Sequence, residues 1–141
     1  MLIRLLYASR AAEAVTHELI ESILSESRSR NPALGITGIL CYGADIYMQV
    51  LEGSREAVNK LYNEITCDAR HRDVTVLHYE EICERRFAGW TMGQVNLAKI
   101  NPSLLLKYSE RPVLDPYAVS GLASVALLEE LIATASIVCR P

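Results

Sequence analysis

Two side chains able to trade hydrogen bonds stand inside stretches that otherwise read as apolar strands: Tyr7 in LIRLLYA and Gln49 in IYMQVLEG. A phenol offers one O–H, and an amide carries both a donor and an acceptor, so a Gln can accept from a Tyr while donating to a third group. Buried without partners, that amide costs about 1–3 kcal/mol. A lone strand Gln is more often a locally satisfied amide, and Gln49 alone points only weakly to a ligand. Asn31 precedes Pro32, where Asn usually bonds to nearby backbone. Arg28 and Arg30 have two readings, a solvated helix end or a phosphate clamp built from the guanidinium fork. In the DARHRD run, Asp68 can accept from a polyol hydroxyl and Arg70 can face an anion, although a charged loop is the commoner meaning. Trp90 and Met92 occupy alternate positions and are expected to face the same way from one last strand. Such a pair is core in most proteins, and beside Tyr7 and Gln49 it would line a flat ligand.

The sequence lacks GxGxxG, Walker, HExxH and nucleophile-elbow patterns, and no pair of carboxylates has acid–base spacing. Cys41, Cys67, Cys83 and Cys139 form no CxxC pair and are expected to be reduced, mostly buried thiols. Cys67 and His71 can share a helical face and His78 follows, but no third ligand has recognisable spacing, so no metal site is expected.

Positioning these residues requires a particular order of elements. Residues 2–8 predict a strand with Ile3, Leu5 and Tyr7 on one face. Thr16 caps a helix whose stripe is Leu19, Ile20, Ile23, Leu24 and Ser27, ending at SRSRN and Pro32. Residues 36–42 and 46–51, broken at Gly43, Ala44 and Asp45, predict a hairpin. Ser54 caps a second helix with Glu56 in its first turn and Val58, Leu61, Tyr62 and Ile65 on its apolar face. A strand from about Val74 to Ile82, a turn at Glu84 to Arg86 and a strand from Phe87 to Val95 complete the order strand, helix, hairpin, helix, hairpin. Right-handed crossovers then give an α+β, ferredoxin-like sandwich, a mixed five-stranded sheet with two helices on one face and strands 1 and 3 adjacent at its centre. Beyond residue 97, a short helix from Ser103 to Tyr108, a connector with Pro112 and Pro116, and a helix from Leu122 to Val138 follow. The stripe Leu127, Leu128, Leu131 and Ile132 should dock on the open face of the sheet or on another subunit.

At 141 residues with 50% apolar content the chain has room for one domain and a proper core. The 14 basic and 17 acidic residues give a formal charge of -3, which offers no general case for nucleic acid or an anionic membrane as partner. The apolar start around Arg4 is too short for a signal peptide and no run reaches membrane-span length, so a cytoplasmic location is expected.

Taken in order, Tyr7, the run Asn31, Pro32 and Gly35-Ile36-Thr37-Gly38, the strand ending Gln49-Val50-Leu51-Glu52-Gly53, Asp68, Arg70 and His71, then Arg86, Phe87, Trp90, Met92 and Gly93 resemble the BLUF family of flavin-binding blue-light sensors. The resemblance covers residues 1 to about 97, and residues 101–138 are similar to the two C-terminal helices of the short members. It implies a BLUF domain over 1–97 and a helical extension over 98–141, packed on the domain or at an oligomer interface. It implies FAD between the two helices, with Tyr7 as light-driven electron and proton donor, Gln49 as the amide that rearranges, and Trp90 and Met92 as responders. Cofactor contacts are then expected from Tyr7, Arg28, Arg30, Asn31, Ile36, Gln49, Asp68, Arg70 and His71. The family often has a polar residue at the position of Arg28, and in some members an asparagine or similar residue at that of Arg30, which leaves their part in phosphate binding open. No catalytic role is implied. The expected output is a light-dependent homo-oligomer or a separate downstream effector. A flavin-dependent oxidoreductase, or a ferredoxin-like interaction module without flavin, are the alternatives.

Overall fold

Strand β1 (Leu2–Ala11) is buried along nearly its whole length because both faces of the sheet are covered. The computed structural model describes residues 1–134 and shows a five-stranded sheet in the order β4-β1-β3-β2-β5, with β2 (Thr37–Tyr42), β3 (Ile46–Ser54), β4 (His71–Ile82) and β5 (Gly93–Asn96). The β2–β5 pair is parallel and the other pairs are antiparallel, which makes the sheet mixed. The expected ferredoxin-like sandwich is therefore present, with β1 and β3 adjacent.

Helix α1 (His17–Leu34) starts where the Thr16 hydroxyl accepts from the Leu19 N–H at 3.2 Å, and it buries Ile20, Ile23, Leu24, Ser27 and Asn31 at helical spacing. It ends at Gly35, whose φ of 68° is the left-handed conformation that glycine adopts without steric cost, with the Ile36 N–H returning to the Asn31 carbonyl at 3.0 Å. Helix α2 (Arg55–Thr66) is capped by Ser54 and buries Val58 and Leu61. These helices and the odd-numbered residues Ile3, Leu5, Tyr7, Tyr47 and Leu51 form one apolar core. Leu6, Met48 and Val50 face the other way, into a second core closed by Leu105 of α3 (Pro102–Tyr108) and by Val125, Leu127, Leu128 and Leu131 of α4 (Gly121–Ala133). Gly121 lets α4 approach β4 closely, since a Cβ there would stand 2.1 Å from the Leu77 carbonyl oxygen.

Several expectations are corrected. The last strand is not Phe87 to Val95 and does not form a hairpin with β4: β5 is Gly93–Asn96 and pairs with β2 at the opposite edge. The physical reason lies in Glu52, whose carboxylate takes the Arg86 and Phe87 N–H groups at 3.2 and 2.7 Å and leads the chain away from β4. Trp90 and Met92 consequently precede the strand and do not share a face. Helix α1 continues through Asn31 and Pro32, and β4 begins at His71 instead of about Val74. Among the described cysteines only Cys41 is buried, and burial pushes its thiol up to about 12, whereas Cys67 and Cys83 are exposed. Of the two places expected for the C-terminal stripe, the open face of the sheet is the one observed: Leu127, Leu128 and Leu131 are fully buried against it and do not form a free docking surface. Cys139 and the end of the expected last helix lie outside the described residues.

Candidate functional site

Antiparallel register sets Tyr7 opposite Gln49, and odd-numbered alternation aims both side chains under α1 and α2. The Tyr7 hydroxyl donates to Gln49 Oε1 at 2.5 Å, and Gln49 Nε2 donates to Met92 Sδ at 3.2 Å. The partners dictate which way the amide points: a phenol that donates needs oxygen opposite it, and a thioether has only acceptor capacity. Tyr7 is 1% exposed and Gln49 5% exposed, so both bonds lie away from competing water. Burial raises the Tyr7 phenol far above its ordinary value, with Asp68 adding to the effect, so the proton stays on oxygen at physiological pH.

Aromatic rings enclose this pair. The Tyr62 ring lies 5.9 Å from that of Tyr7 in an edge arrangement, and the His71 ring lies 6.4 Å from Tyr7 and 4.9 Å from Tyr47. Ser9 Oγ meets His71 Nδ1 at 2.7 Å, fixing the ring, and burial lowers the His71 pKa so that the imidazole is neutral. Ser9 escaped the sequence reading, although its place two residues beyond Tyr7 puts it on the same face of β1. Met92 is in the core beneath the helices, while Trp90 packs against the opposite core, its indole N–H buried without a partner.

The charged residues gather around a cleft of about 70 Å³ lined by Tyr7, Gln49, Ser27, Arg30, Asp68 and Arg70 among others. Arg70 is bound to Asp68 at 2.6 Å and to Glu26 of α1 at 3.1 Å, and Arg30 to Glu64 of α2 at 3.2 Å. The Arg70 hydrogen bond holds the Asp68 carboxyl below its ordinary value, and Asp68 in turn raises Arg70. Glu26 and Glu64, ordinary helix-surface acids by pattern, gave no signal in the sequence. Arg28 does not line the cleft; its guanidinium donates to the Met92 carbonyl at 3.3 Å. Ile36 is buried in the core below the cleft helices. A larger cleft of about 630 Å³ beside His17, Lys99 and Leu104 contains none of the expected site residues.

Asn31 provides the test of whether these residues suit a flavin. Its side chain is fully buried on α1, one turn beyond Ser27, and neither its carbonyl oxygen nor its amino group has a partner. Buried amides are almost always satisfied, so an orphaned donor and acceptor together are those of a residue built to meet a ligand with complementary groups. The pyrimidine edge of a flavin ring carries such groups, and the donor set fits it. Among the described residues no group of His, Cys, Asp and Glu could hold a metal ion, and no helix is long and apolar enough to cross a membrane.

A ferredoxin-like sheet with a buried tyrosine–glutamine pair under two helices, and an orphaned buried amide on one of those helices, is the arrangement that the expected flavin-binding domain requires. Residues 2–93 match the family model for BLUF, sensors of blue light using FAD, and the chain belongs to that family. It is a photoreceptor domain that binds a flavin chromophore and signals through changed hydrogen bonding, and such domains are sensory, not catalytic, modules. The chain is 37% identical over 89 residues to the photoactivated adenylate cyclase subunit beta of Euglena longa, covering 62% of this chain and 10% of that protein. It is 33% identical over 87 residues to the blue light- and temperature-regulated antirepressor BluF of Escherichia coli K12, covering 62% of this chain and 22% of that protein. The chain thus spans only about a tenth to a fifth of the length of these curated relatives. Among solved structures, the dark state of the BLUF protein BlrB superposes with a TM-score of 0.78 at 36% identity, over 95% of this chain and 96% of that one. The photo-activated state of BlsA gives 0.81 at 30% identity, over 94% and 95%.

Proposed function

We propose that the chromophore is FAD, held between α1 and α2 over residues 1–97, and that blue light rearranges the Gln49 amide between Tyr7 and Met92. The observation that carries this reading is the Tyr7–Gln49–Met92 chain, in which one amide joins a donor to a soft acceptor. Gln49 can reverse its donor and acceptor ends without moving the backbone, which changes what it offers to the cofactor and to Met92 together. Tyr7, kept neutral by burial, supplies the proton whose movement permits the change. Bound flavin supplies blue-light absorption and an excited state able to take an electron.

Asn31 satisfies its amide on the ring, and Ile36 and His71 pack beside it. Arg30, Arg70 and Asp68 take the ribityl and phosphate portion. Their present partners Glu64 and Glu26 are about half exposed, and exposed ion pairs are worth only about 0–1 kcal/mol, so a diphosphate readily displaces them. Arg28 acts on the Met92 backbone instead of on phosphate, and Trp90 responds from the opposite face.

The extension over 98–141 carries the signal outward in the cytoplasm, to a second copy of the chain or to a separate effector protein, with neither nucleic acid nor membrane as partner. Relatives named as cyclase subunits support an assembly partner, and the Arg86–Glu129 ion pair at 2.8 Å supports a route through α4. Absorption spectra of the purified protein before and after blue light, with the released cofactor identified by chromatography, test the reading. A yellow protein with a reversible red shift and released FAD is expected; a colourless protein that takes up no added FAD overturns it.

A further inference from the structure

We propose that Glu52, clamped by Arg4, is the positioning residue of the light switch: it fixes where the segment 85–92 begins and so where Met92 meets the Gln49 amide. The proposal rests on the reading of Gln49 as the switching group. Arg4 stands opposite Glu52 in the β1–β3 ladder and opposite Glu80 in the β1–β4 ladder, so three charged residues cross three adjacent strands on the face turned away from the cleft. Glu52 is 0% exposed and Arg4 3% exposed. Arg4 donates to Glu52 through Nε at 2.8 Å and Nη2 at 2.7 Å, bonds Glu80 through Nη1, and lies 5.8 Å from the centre of the Phe87 ring.

A buried ion pair is a weak source of stability compared with apolar residues of the same volume, because both charges lose their hydration. The geometry it imposes is another matter. Besides Arg4, the Glu52 carboxylate binds the N–H groups of Arg86 and Phe87, which belong to no helix or strand. Arg85 fastens the same turn, donating to the Thr37 hydroxyl at 2.9 Å and to the carbonyls of Glu52 and Gly35 at 3.3 and 2.7 Å. Met92 follows Phe87 by five positions, and within that interval the Trp90 carbonyl accepts from the Gly38 N–H of β2 at 3.0 Å. Gln49 and Glu52 sit on one strand but on opposite faces, so β3 carries the switching amide and the anchor of its partner. A change at Met92 is then referred to a fixed point, and the same turn passes it through the Arg86 side chain to Glu129.

The test uses the full chain loaded with flavin. Glu52→Gln keeps the side-chain shape but removes one of two charge-bearing oxygens; Arg85→Gln loosens the same turn from a half-buried position and serves if the first variant does not fold. Leu105→Ala, in the core that Phe87 shares but with no side-chain hydrogen bond to the turn, controls for lost stability. Both turn variants are expected to bind flavin, to change the thermal recovery rate at least threefold or shrink the red shift, and to exchange the Arg86 and Phe87 amides faster, while Leu105→Ala recovers at the wild-type rate. A folded Glu52→Gln or Arg85→Gln protein with wild-type shift and recovery overturns the proposal, as does a Leu105→Ala protein whose recovery changes equally. A wild-type protein without a light response refutes the switch reading itself and this proposal with it, so the two failures are distinguished in one experiment.

Discussion

Tyr7 and Gln49 are cross-strand partners in the β1–β3 ladder, and that register leaves the Tyr7 hydroxyl 2.5 Å from Gln49 Oε1. Side chains alternate faces along a strand, so a slip of one residue would send Gln49 toward α4 and leave Tyr7 without its acceptor. The alternating apolar residues on both faces, Leu5, Tyr7 and Leu51 against Leu6, Met48 and Val50, hold the register against such a slip.

Gln49→Leu retains flavin and loses the red shift, because Leu fills comparable space without a donor or an acceptor. Tyr7→Phe likewise binds flavin and fails to form the normal light state, lacking the phenolic proton. Difference spectra after a blue pulse check both; a wild-type light state in either variant removes that residue from the switch.

Asn31→Ala weakens FAD retention by about 1–3 kcal/mol, a factor of roughly 5 to 150, through the loss of one or two ligand hydrogen bonds. The flavin-free protein loses little stability, since the amide it gives up has no partner there. Titration with FAD and a melting curve of the apoprotein separate the effects, and unchanged affinity would return Asn31 to a packing role.

Arg30→Gln and Arg70→Gln are expected to weaken FAD more than riboflavin, which has no phosphate, and added salt should reduce the preference for FAD. Arg28→Gln should leave that preference unchanged because its guanidinium is occupied at the Met92 carbonyl. Competition binding with the two flavins decides; an equal effect on both from Arg30→Gln and Arg70→Gln moves the phosphates elsewhere.

Burial lowers the His71 pKa below its ordinary 6.5, so at mildly acidic pH the unfolded chain binds a proton that the folded chain refuses. The associated stability is present above about pH 6.5 and is lost as pH falls through the depressed folded value. Urea midpoints should therefore decline with acidification through this window, and His71→Gln should flatten that part of the profile. An identical slope in the variant assigns the effect to other groups.

Leu128 is fully buried against the sheet, so Leu128→Ala should destabilise the folded chain by about 2–5 kcal/mol. Its buried position also means that any light-dependent self-association must use other surface. Sedimentation in darkness and under blue light, at several concentrations and with candidate effectors, is expected to show a shift. An unchanged monomer that binds nothing would count against the proposed output.

The helices, the hairpin, the caps at Thr16 and Ser54 and the ferredoxin-like order were legible in the sequence, because periodicity and capping are local properties carried by neighbouring residues. The adjacency of the strands that carry Tyr7 and Gln49 was legible too, while the register that sets the two residues opposite each other was not, since alternation fixes a face and not a pairing. Tertiary structure alone decided the rest. The buried Glu52 carboxylate draws in the Arg86 and Phe87 N–H groups, which shortens β5 to four residues, carries it to the far edge and turns Met92 and Trp90 toward opposite cores. The same holds for Arg28, bound to the Met92 carbonyl, and for the α4 leucines, taken up by the second face of the sheet. A sequence states which groups can donate, accept or bury themselves, and among several chemically adequate partners only the folded geometry selects one.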